Sequence, residues 1–327
     1  MPNPLIAAAF VAAASLATVL SGNALAQAFP VKPIRVLIPQ TPGAGVDLIL
    51  RKAAEDLTPR LGQTLVIDNQ PAANSVIAAD MCARAAPDGH TVCILNNDAL
   101  AINPYIFAKL PYDAAKDFRP ITNLYYILGG LLVKSALPVN TVQEFQAYAQ
   151  SKPGTLNWAT LSPNSSTDLS RRWLGELWKA NIPGIPYKGG PQVFTALATG
   201  ESDVTWMGVY GALSLLKAGK VKLLAVNGSK RLPAWPDAPT LREIGAENMP
   251  SAQSWWGMLT AAGSPDAAVR RLNTEFVQLF REPKFVAFLE SLITEPSTTT
   301  PEEFANLIRD RREFFGKLLR DYNIPRL

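Results

Sequence analysis

An apolar strand, a Gly/Pro turn and a helix start follow one another between residues 34 and 47, and this succession limits the fold more than any other feature. Residues 34–38 are Ile-Arg-Val-Leu-Ile, the turn contains Gly43 and Gly45, and Asp47 opens a helical pattern. In such a turn, backbone N–H groups collect at the positive end of a helix dipole and attract an anion. An ordinary strand-to-helix turn with Asp47 as a cap is the alternative interpretation.

The N-terminus has the pattern of an export leader. An apolar run over residues 5–20 is followed by small residues, and both residues 24–26 (Ala-Leu-Ala) and 26–28 (Ala-Gln-Ala) fit the small-x-small rule of signal peptidase. The run is short for a transmembrane helix. We therefore predict that the first 28 residues are a signal peptide, cleaved after Ala26 or Ala28, and that the mature protein is periplasmic.

Strand and helix patterns alternate in two successive series. The first series runs from residue 34 to residue 95 as strand-helix-strand-helix-strand, and the second begins near residue 124. Such alternation is typical of α/β folds in which helices cover both faces of a parallel sheet. Two series predict two lobes, and the loops after the strands are expected to face a cleft between them. These loops are residues 39–47, 96–99, 160–168 and 187–190.

A loop rich in hydroxyl groups follows one strand of the second series. Its polar residues are Thr160, Ser162, Asn164, Ser165 and Ser166, and a helical pattern begins directly after them. The arrangement predicts a second anion-binding turn, contributed by the other lobe. A solvated loop that ends in a serine or threonine helix cap is the alternative interpretation.

Two further side chains are candidates for ligand contact in the cleft. Lys188, within the Tyr-Lys-Gly-Gly segment of residues 187–190, could supply a positive charge for a carboxylate, and Trp206 could stack on a ligand. The alternatives are a surface lysine before a helix and an aromatic residue that packs in the core.

The residues that could carry catalysis or metal binding are few. The single histidine, His90, follows the turn 87–89 and is predicted to lie at the surface, so a histidine-based triad is not expected. Metal-ligand spacings are missing from the sequence, and residues 43–45 lack the third glycine of a dinucleotide motif. We therefore predict no catalytic residue, no metal and no cofactor. Because 31 basic and 27 acidic residues are spread along the chain, nucleic acid is also a poor partner.

The chain has two cysteines. Cys82 lies near the end of a predicted helix and Cys93 lies in the next predicted strand. An exported protein can hold a disulfide between such neighbours, although two buried thiols fit the same positions. We carry the bridge forward as a prediction.

Several motifs follow one another in an order that is typical of one protein family. They are Lys-Pro-Ile-Arg at residues 32–35, Ala-Pro-Asp-Gly-His-Thr at 86–91, Ala-Ile-Asn-Pro at 101–104, Leu-Pro-Tyr-Asp at 110–113, Pro-Tyr-Lys-Gly at 186–189 and Trp-Trp-Gly at 255–257. With them the chain resembles the Bug (TctC-type) extracytoplasmic solute-binding proteins of tripartite tricarboxylate transporters. The resemblance implies a type II periplasmic binding protein fold, which is an α/β fold of two Rossmann-like lobes around a central cleft.

The resemblance also implies where a ligand lies. A ligand carboxylate would sit between the loops 39–47 and 160–168, held by backbone N–H groups, hydroxyls and ordered water. The chain departs from the family pattern at Gln40, where the family has an aromatic residue, and at Ala44, where it has glycine. Residues 69–75 have also lost an arginine and several glycines. These departures predict a ligand that differs from the commoner dicarboxylates.

Together these interpretations predict a monomeric receptor that binds a small di-, tri- or aromatic carboxylate and delivers it to integral membrane subunits of a transporter. The first lobe is predicted to comprise residues 29–123 and 230–327, and the second lobe residues 124–229. A ligand-binding subunit of a membrane sensor and an exported hydrolase are the alternative functions. The predicted ligand contacts are Gln40, Gly43, Ala44, Gly45, Asp47, Asn97, Thr160, Ser162, Asn164, Ser165, Ser166, Lys188 and Trp206.

Overall fold

Two β-sheets organise the chain. The computed structural model describes residues 29–71 and 73–326, so the predicted signal peptide lies outside the described residues. Within those residues, no helix has both the length and the apolar character that crossing a bilayer requires.

The first sheet has six strands in the order β11-β4-β10-β3-β1-β2, and the second has five in the order β7-β6-β8-β5-β9. The strands are β1 (Ile34–Ile38), β2 (Leu65–Asn69), β3 (Thr91–Asn96), β4 (Phe118–Ile127), β5 (Gly129–Lys134), β6 (Trp158–Thr160), β7 (Gly184–Pro186), β8 (Val204–Gly208), β9 (Val221–Val226), β10 (Trp255–Ala261) and β11 (Thr294–Pro296).

Helices connect the strands and cover both sheets. The α-helices are α1 (Gly45–Leu61), α2 (Val76–Ala83), α3 (Asn103–Ile106), α4 (Val142–Ser151), α5 (Ser166–Trp178), α6 (Gly190–Thr199), α7 (Leu213–Lys217), α8 (Asp266–Arg281), α9 (Pro283–Ser291) and α10 (Pro301–Asp321). Short 3₁₀ turns occupy Ala73–Ser75, Val209–Ala212, Arg242–Ile244 and Pro250–Gln253, and a π-helical turn occupies Asp98–Ile102.

The strands of each strand-helix series pair in parallel, as their alternation predicts. β1 is parallel to β2 and β3, and β6 is parallel to β7 and β8. Each sheet also contains antiparallel pairs that the alternation did not indicate, because β10 runs against β3 and β4, and β5 runs against β8 and β9. β5 and β10 each follow a part of the chain that lies in the other lobe. The alternation of strands and helices within one lobe therefore does not predict whether such a strand pairs in parallel or antiparallel.

The chain passes between the two sheets twice. The chain first leaves the first sheet at Ile127, the end of β4, and enters the second sheet at Gly129, the start of β5. The second sheet ends at Val226 in β9, and the chain re-enters the first sheet at Trp255 in β10. The predicted boundary at residue 124 therefore lies within a strand of the first sheet. The limits of the two lobes as moving bodies stay a prediction.

Alternate residues of the central strands point into different cores, because successive side chains of a strand face opposite sides. In β1, Val36 and Ile38 join one core of the first sheet and Leu37 joins another. In β5, Leu131 and Leu132 divide in the same way between two cores of the second sheet. Strands that are apolar on both faces require helices on both faces, which is the arrangement of doubly wound folds.

A disulfide joins Cys82 in α2 to Cys93 in β3, and 5.9 Å separate their Cα atoms. Both residues are fully buried in the same core as Leu95 and Trp255. The packing of α2 against β3 brings the two cysteines together. The sequence alone was compatible with either a disulfide or two buried thiols, and the structure has the disulfide.

Replacing both cysteines with alanine should lower the free energy of unfolding by about 2–3 kcal/mol, because the bridge restricts the unfolded chain. Urea unfolding of the variant and the wild type, each with and without reductant, measures the loss. Reductant should destabilise the wild type and leave the variant unchanged. Two free thiols in mass spectra of non-reduced periplasmic protein would contradict the bridge.

Candidate ligand-binding site

The turn before α1 forms a cradle of backbone N–H groups at the helix start. Gly43 has a φ of 82°, Ala44 is extended, and α1 begins at Gly45. The left-handed conformation at Gly43, which suits glycine, lets its N–H donate to Oδ2 of Asp47 over 2.9 Å. The first N–H groups of an α-helix have no partner within the helix, so those of α1 can donate to an anion.

The buried side chain of Asp47 holds this turn in place through hydrogen bonds. It is 2% exposed, and it also accepts hydrogen bonds from Arg51 Nε and Asn69 Nδ2, both over 3.0 Å. Burial raises the pKa of Asp47, but the hydrogen bonds from Arg51, Gly43 and Asn69 together outweigh burial and lower the pKa below its usual 3.8. Asp47 is therefore ionised at neutral pH, and its carboxylate is already engaged within its own lobe.

The turn before α5 has the same construction. Asn164 has a φ of 61°, Ser165 is extended and caps the helix, and α5 begins at Ser166. The N–H of Asn164 donates to Oδ2 of Asp168 over 3.1 Å, and Arg172 Nε donates to the same oxygen over 3.1 Å. Asparagine adopts the left-handed conformation more readily than most residues, so it can take the place that glycine has in the first turn.

A short shared pattern accounts for the likeness of the two cradles. It is Asp-Leu-x-x-Arg, at residues 47–51 and again at residues 168–172. In both copies the carboxylate accepts from the backbone N–H before the helix and from the arginine one turn later. The succession β1-α1-β2-α2-β3 also matches β6-α5-β7-α6-β8 in strand order. This repeat was visible in the sequence but was missed there, and it relates the two loops residue by residue.

The loop of the second cradle contacts the first lobe at the loop between β2 and α2. Ser162 Oγ donates to Oδ1 of Asn74 over 3.1 Å. Asn74 and Ser75 stand where the resemblance leads one to expect glycines, and both have positive φ angles, 55° and 62°. The loop therefore keeps a glycine-like backbone after losing its glycines, and the Asn74 side chain adds a contact to the second lobe that glycine could not make.

A carboxylate of the protein lies near the N-terminus of α5. Asp98 is two residues after the end of β3, and Ser166, the first residue of α5, interacts with it electrostatically. Asp98 is 9% exposed. Burial raises the pKa of Asp98 to about 6, against the opposing effect of Ser166. The sequence analysis selected Ser166 and the neighbouring Asn97 but missed Asp98.

A tyrosine of the second lobe faces the N-terminus of α1. Tyr210 lies two residues after the end of β8, and its Cδ1 would be 3.9 Å from a Cβ placed on Gly45. The ring packs against a core of the first sheet. Asp98 and Tyr210 therefore hold corresponding positions in the two series, each beside the cradle of the opposite lobe.

Three of the predicted contact residues have structural roles in these turns. Ser165 Oγ accepts the N–H of Asp168 over 3.4 Å and so caps α5. The backbone carbonyl of Gln40 accepts Nδ2 of Asn69 over 3.0 Å, which ties the first turn to β2. Thr160 is buried at the end of β6. Their backbones shape the cradles, whether or not their side chains touch a ligand.

The other predicted contacts differ in their surroundings. Asn97 is buried between β3 and Asp98. Lys188 is exposed, and its backbone N–H donates to Gln192 over 3.0 Å. Trp206 is 2% exposed within a core of the second sheet, which is the position of a packing residue. A ligand role for Asn97 or Lys188 stays a prediction.

His90 is buried, which corrects its predicted surface position. It is 8% exposed, its Nε2 accepts the N–H of Val31 over 3.2 Å, and its ring centroid lies 4.7 Å from that of Phe29. The segment before β1 covers the turn and produces this burial. In the part of the chain that the structure describes, no group of three His, Cys, Asp or Glu residues could hold a metal ion.

Known proteins are similar to this chain over most of its length. The profile of the family described as tripartite tricarboxylate transporter family receptor (TctC) matches residues 49–324. A UPF0065 protein of Bordetella pertussis is 30% identical over 306 residues, which are 93% of this chain and 94% of that protein. Protein BugT of the same organism is 25% identical over 95% of this chain and 94% of its own length.

Solved structures of similar proteins extend the comparison to the fold. A protein of R. palustris with adipate has a TM-score of 0.82 and 27% identity, and the match covers 91% of this chain and 100% of that one. MatC of Rhodopseudomonas palustris, with bound malate, has a TM-score of 0.76 and 29% identity over 89% of this chain and 100% of its own. The periplasmic binding protein BugD, at 24% identity, has a TM-score of 0.79 over 91% of this chain and 100% of its own, and the predicted fold class is confirmed.

Proposed function

Because the chain belongs to the family of tripartite tricarboxylate transporter receptors, we propose that it binds a small di-, tri- or aromatic carboxylate between its two lobes and delivers it to integral membrane subunits. The family consists of solute-binding receptors and not of enzymes. The main structural support for this proposal is the pair of matching turns at the starts of α1 and α5, each of which presents backbone N–H groups that can donate to an anion. Similar proteins hold adipate or malate, which supports a carboxylate as the ligand.

The ligand carboxylate is proposed to bind at the start of α1. Backbone N–H groups there carry part of the positive end of the helix dipole, and hydrogen bonds to a charged group are the stronger kind. Arg51 neutralises Asp47 directly behind the turn, so the cradle does not repel an anion. The proposed contacts are the predicted residues of the two cradle loops together with Asn97 and Lys188, while Trp206 is left out because it packs in the core.

The route to the periplasm is part of the same proposal. The chain is proposed to be exported, cleaved after Ala26 or Ala28, and monomeric. The mass of the periplasmic protein distinguishes the two cleavage sites, and light scattering tests the monomer. Co-purification from membrane extract tests the partner, because recovery of a sensor kinase in place of transporter subunits would support the sensor alternative.

Titration calorimetry of the mature chain against di-, tri- and aromatic carboxylates tests the central claim. We expect saturable binding of at least one compound with one site per chain. Failure of the whole panel to bind would count against a carboxylate receptor, and turnover of any of these compounds would support the hydrolase alternative.

Replacing Gly45 with proline should weaken carboxylate binding by about tenfold or more, because it deletes one N–H that would donate to a charged group. Proline is tolerated at the first position of a helix, and Ala44 already has the extended conformation (φ −67°, ψ 158°) that a residue before proline needs. Gly45→Ala keeps the N–H and is the matched control. Equal affinities of the proline and alanine variants would show that the Gly45 N–H does not hold the ligand.

Replacing Lys188 with methionine should weaken binding by less than about fivefold, because an exposed ammonium is screened by solvent. Calorimetry with the same carboxylate measures the change, and the salt dependence of the wild-type affinity provides a check. A loss nearer a hundredfold would instead identify Lys188 as the counter-charge of the ligand.

A further inference from the structure

A hydrogen bond between two side chains joins the first lobe to the second. Ser162 Oγ, in the loop between β6 and α5, donates to Asn74 Oδ1, in the loop between β2 and α2, over 3.1 Å. Both residues are half-buried, so water screens this interlobe bond only in part. Because both atoms belong to the protein, the interlobe bond does not need a ligand in order to form.

The first-lobe end of the interlobe bond is held in place by a buried residue. Asn103 is fully buried, and its Nδ2 donates to the backbone carbonyl of Asn74 over 2.8 Å. The same Nδ2 donates to the hydroxyl oxygen of Tyr112 over 3.0 Å, and that hydroxyl donates to the carbonyl of Ala99 over 2.7 Å. These bonds hold the backbone of Asn74 at a φ of 55°, so it has little backbone freedom left to lose when the interlobe bond forms.

The second-lobe end of the interlobe bond is part of the cradle before α5. The carbonyl of Ser162 accepts hydrogen bonds from Ser165 Oγ over 2.8 Å and from the N–H of Ser165 over 3.3 Å. Ser165 in turn caps α5. Ser162 is therefore tied to the start of α5, and the interlobe bond sets the position of the second cradle against the first lobe.

The interlobe bond lies beside strands that do not carry the crossings between the sheets. β1 and β3 separate β2 from β10 in the first sheet, and β8 separates β6 from β5 in the second. At the crossings, Asn227 Oδ1 accepts the N–H of Gly129 over 2.7 Å, and Asn227 Nδ2 donates to the carbonyl of Ser251 over 2.9 Å. Rotation of the lobes about the crossings would therefore break the interlobe bond and leave the contacts of Asn227 in place.

We propose that the Asn74–Ser162 bond holds the two lobes closed in the ligand-free protein, so that closure does not depend on the ligand alone. In an equilibrium between open and closed lobes, one hydrogen bond that exists only in the closed state raises the closed-to-open ratio about three- to tenfold. For the receptor proposed above, whose ligand lies between both cradles, a larger closed fraction means a tighter apparent affinity.

Pulsed electron spin resonance on the ligand-free mature chain measures this ratio. Spin labels on Glu55→Cys in α1 and Ala147→Cys in α4, two exposed positions, report the distance between the lobes. The two native cysteines are joined in a disulfide and do not react with the label. In this labelled background, Ser162→Ala removes the donor of the interlobe bond and Asn74→Gly removes the acceptor. Glycine suits the left-handed backbone at Asn74, and each variant should lower the closed-to-open ratio about three- to tenfold.

Two further variants make the test specific. Ser75→Ala is the matched control, because Ser75 Oγ donates to Asn96 Oδ1 over 3.4 Å within the first lobe, and it should leave the ratio unchanged. The double variant Asn74→Gly/Ser162→Ala should open no further than either single variant, since both substitutions remove the same bond.

The role of the interlobe bond would be overturned by a wild type that is open throughout or by single variants that keep the wild-type ratio. A double variant in which the two losses add, or a Ser75→Ala as open as the single variants, would overturn it as well. Because no ligand takes part, the result is independent of the carboxylate panel. Failure of that panel would reject the proposed function without affecting the interlobe bond, and the reverse holds equally.

Discussion

Replacing Asp98 with asparagine should raise the free energy of unfolding of the ligand-free protein at pH 7 by about 2 kcal/mol. The pKa of Asp98 rises from the ordinary 3.8 to about 6 in the folded protein, chiefly because of burial. A shift of this size corresponds to about 3 kcal/mol of disfavoured ionisation, at about 1.4 kcal/mol for each pH unit. Asparagine is never charged, but its amide N–H groups add donors that need an acceptor where the carboxylate needed none, so we expect somewhat less than the full value.

The pH dependence gives the sharper test. Because the folded state holds the Asp98 proton more tightly than the unfolded state, the stability due to this group is present below pH 4 and is lost as pH rises through about 6. The advantage of Asp98→Asn should therefore be full above pH 6 and should vanish near pH 4. Tyr112, whose pKa is raised mainly by burial and in part by Asp98, stays neutral throughout this range.

Urea unfolding of wild type, Asp98→Asn and Asp310→Asn between pH 4 and pH 8 measures these differences. Asp310, in α10, is exposed and forms an ion pair with its exposed neighbour Arg309, so its substitution should have little effect at any pH. A destabilised Asp98→Asn at pH 7 would mean that the Asp98 charge stabilises the folded protein, contrary to the expected sign.

Replacing Gly257 with alanine should destabilise the protein by about 3 kcal/mol, near the upper end of overpacking effects. Gly257 lies in β10, between β3 and β4, and a Cβ there would overlap the ring of Phe304. Phe304 is fully buried in the first turn of α10, and its ring stands edge-to-face against Trp255 with centroids 5.2 Å apart. Neither the strand nor the ring can move without disturbing the sheet.

A double-mutant cycle identifies the cause of that loss. Phe304→Leu frees space beside β10, so Gly257→Ala should cost less in the Phe304→Leu background than in the wild type. Gly189→Ala is the control for adding a methyl group, because Gly189 has an extended backbone and its Cβ would have only an ordinary contact, 3.8 Å from Pro191 Cδ. Equal costs in both backgrounds would place the strain elsewhere than at Phe304.

The sequence predicted the features that arise from neighbouring residues. The first cradle follows from a strand, two glycines and a helix start within residues 34–47, and the parallel pairing of β1, β2 and β3 follows from the helices between them. The cradle depends on local backbone conformation, and the parallel pairing depends on the rule that a helix between two strands makes them parallel. Neither requires knowledge of distant parts of the chain.

Features that depend on distant parts of the chain could not be predicted in that way. Asp98 and Ser166 interact electrostatically although they belong to the two different series, and no local pattern marks Asp98 as a neighbour of Ser166. His90 sits in a turn of polar residues, which favours exposure, but the N-terminal segment with Phe29 covers it. The alternation likewise could not show that β10 would insert between β3 and β4.

The position of β10 has a consequence for the order in which the two sheets can be completed as the chain is synthesised. The second sheet is built from residues 129–226 alone, so all its strands become available together. The first sheet leaves β3 and β4 with unpaired edges until Trp255–Ala261 arrives and joins them. Open strand edges are slow to close and prone to mispairing. The N-terminal lobe is therefore the last to be completed, although its first residues are synthesised first.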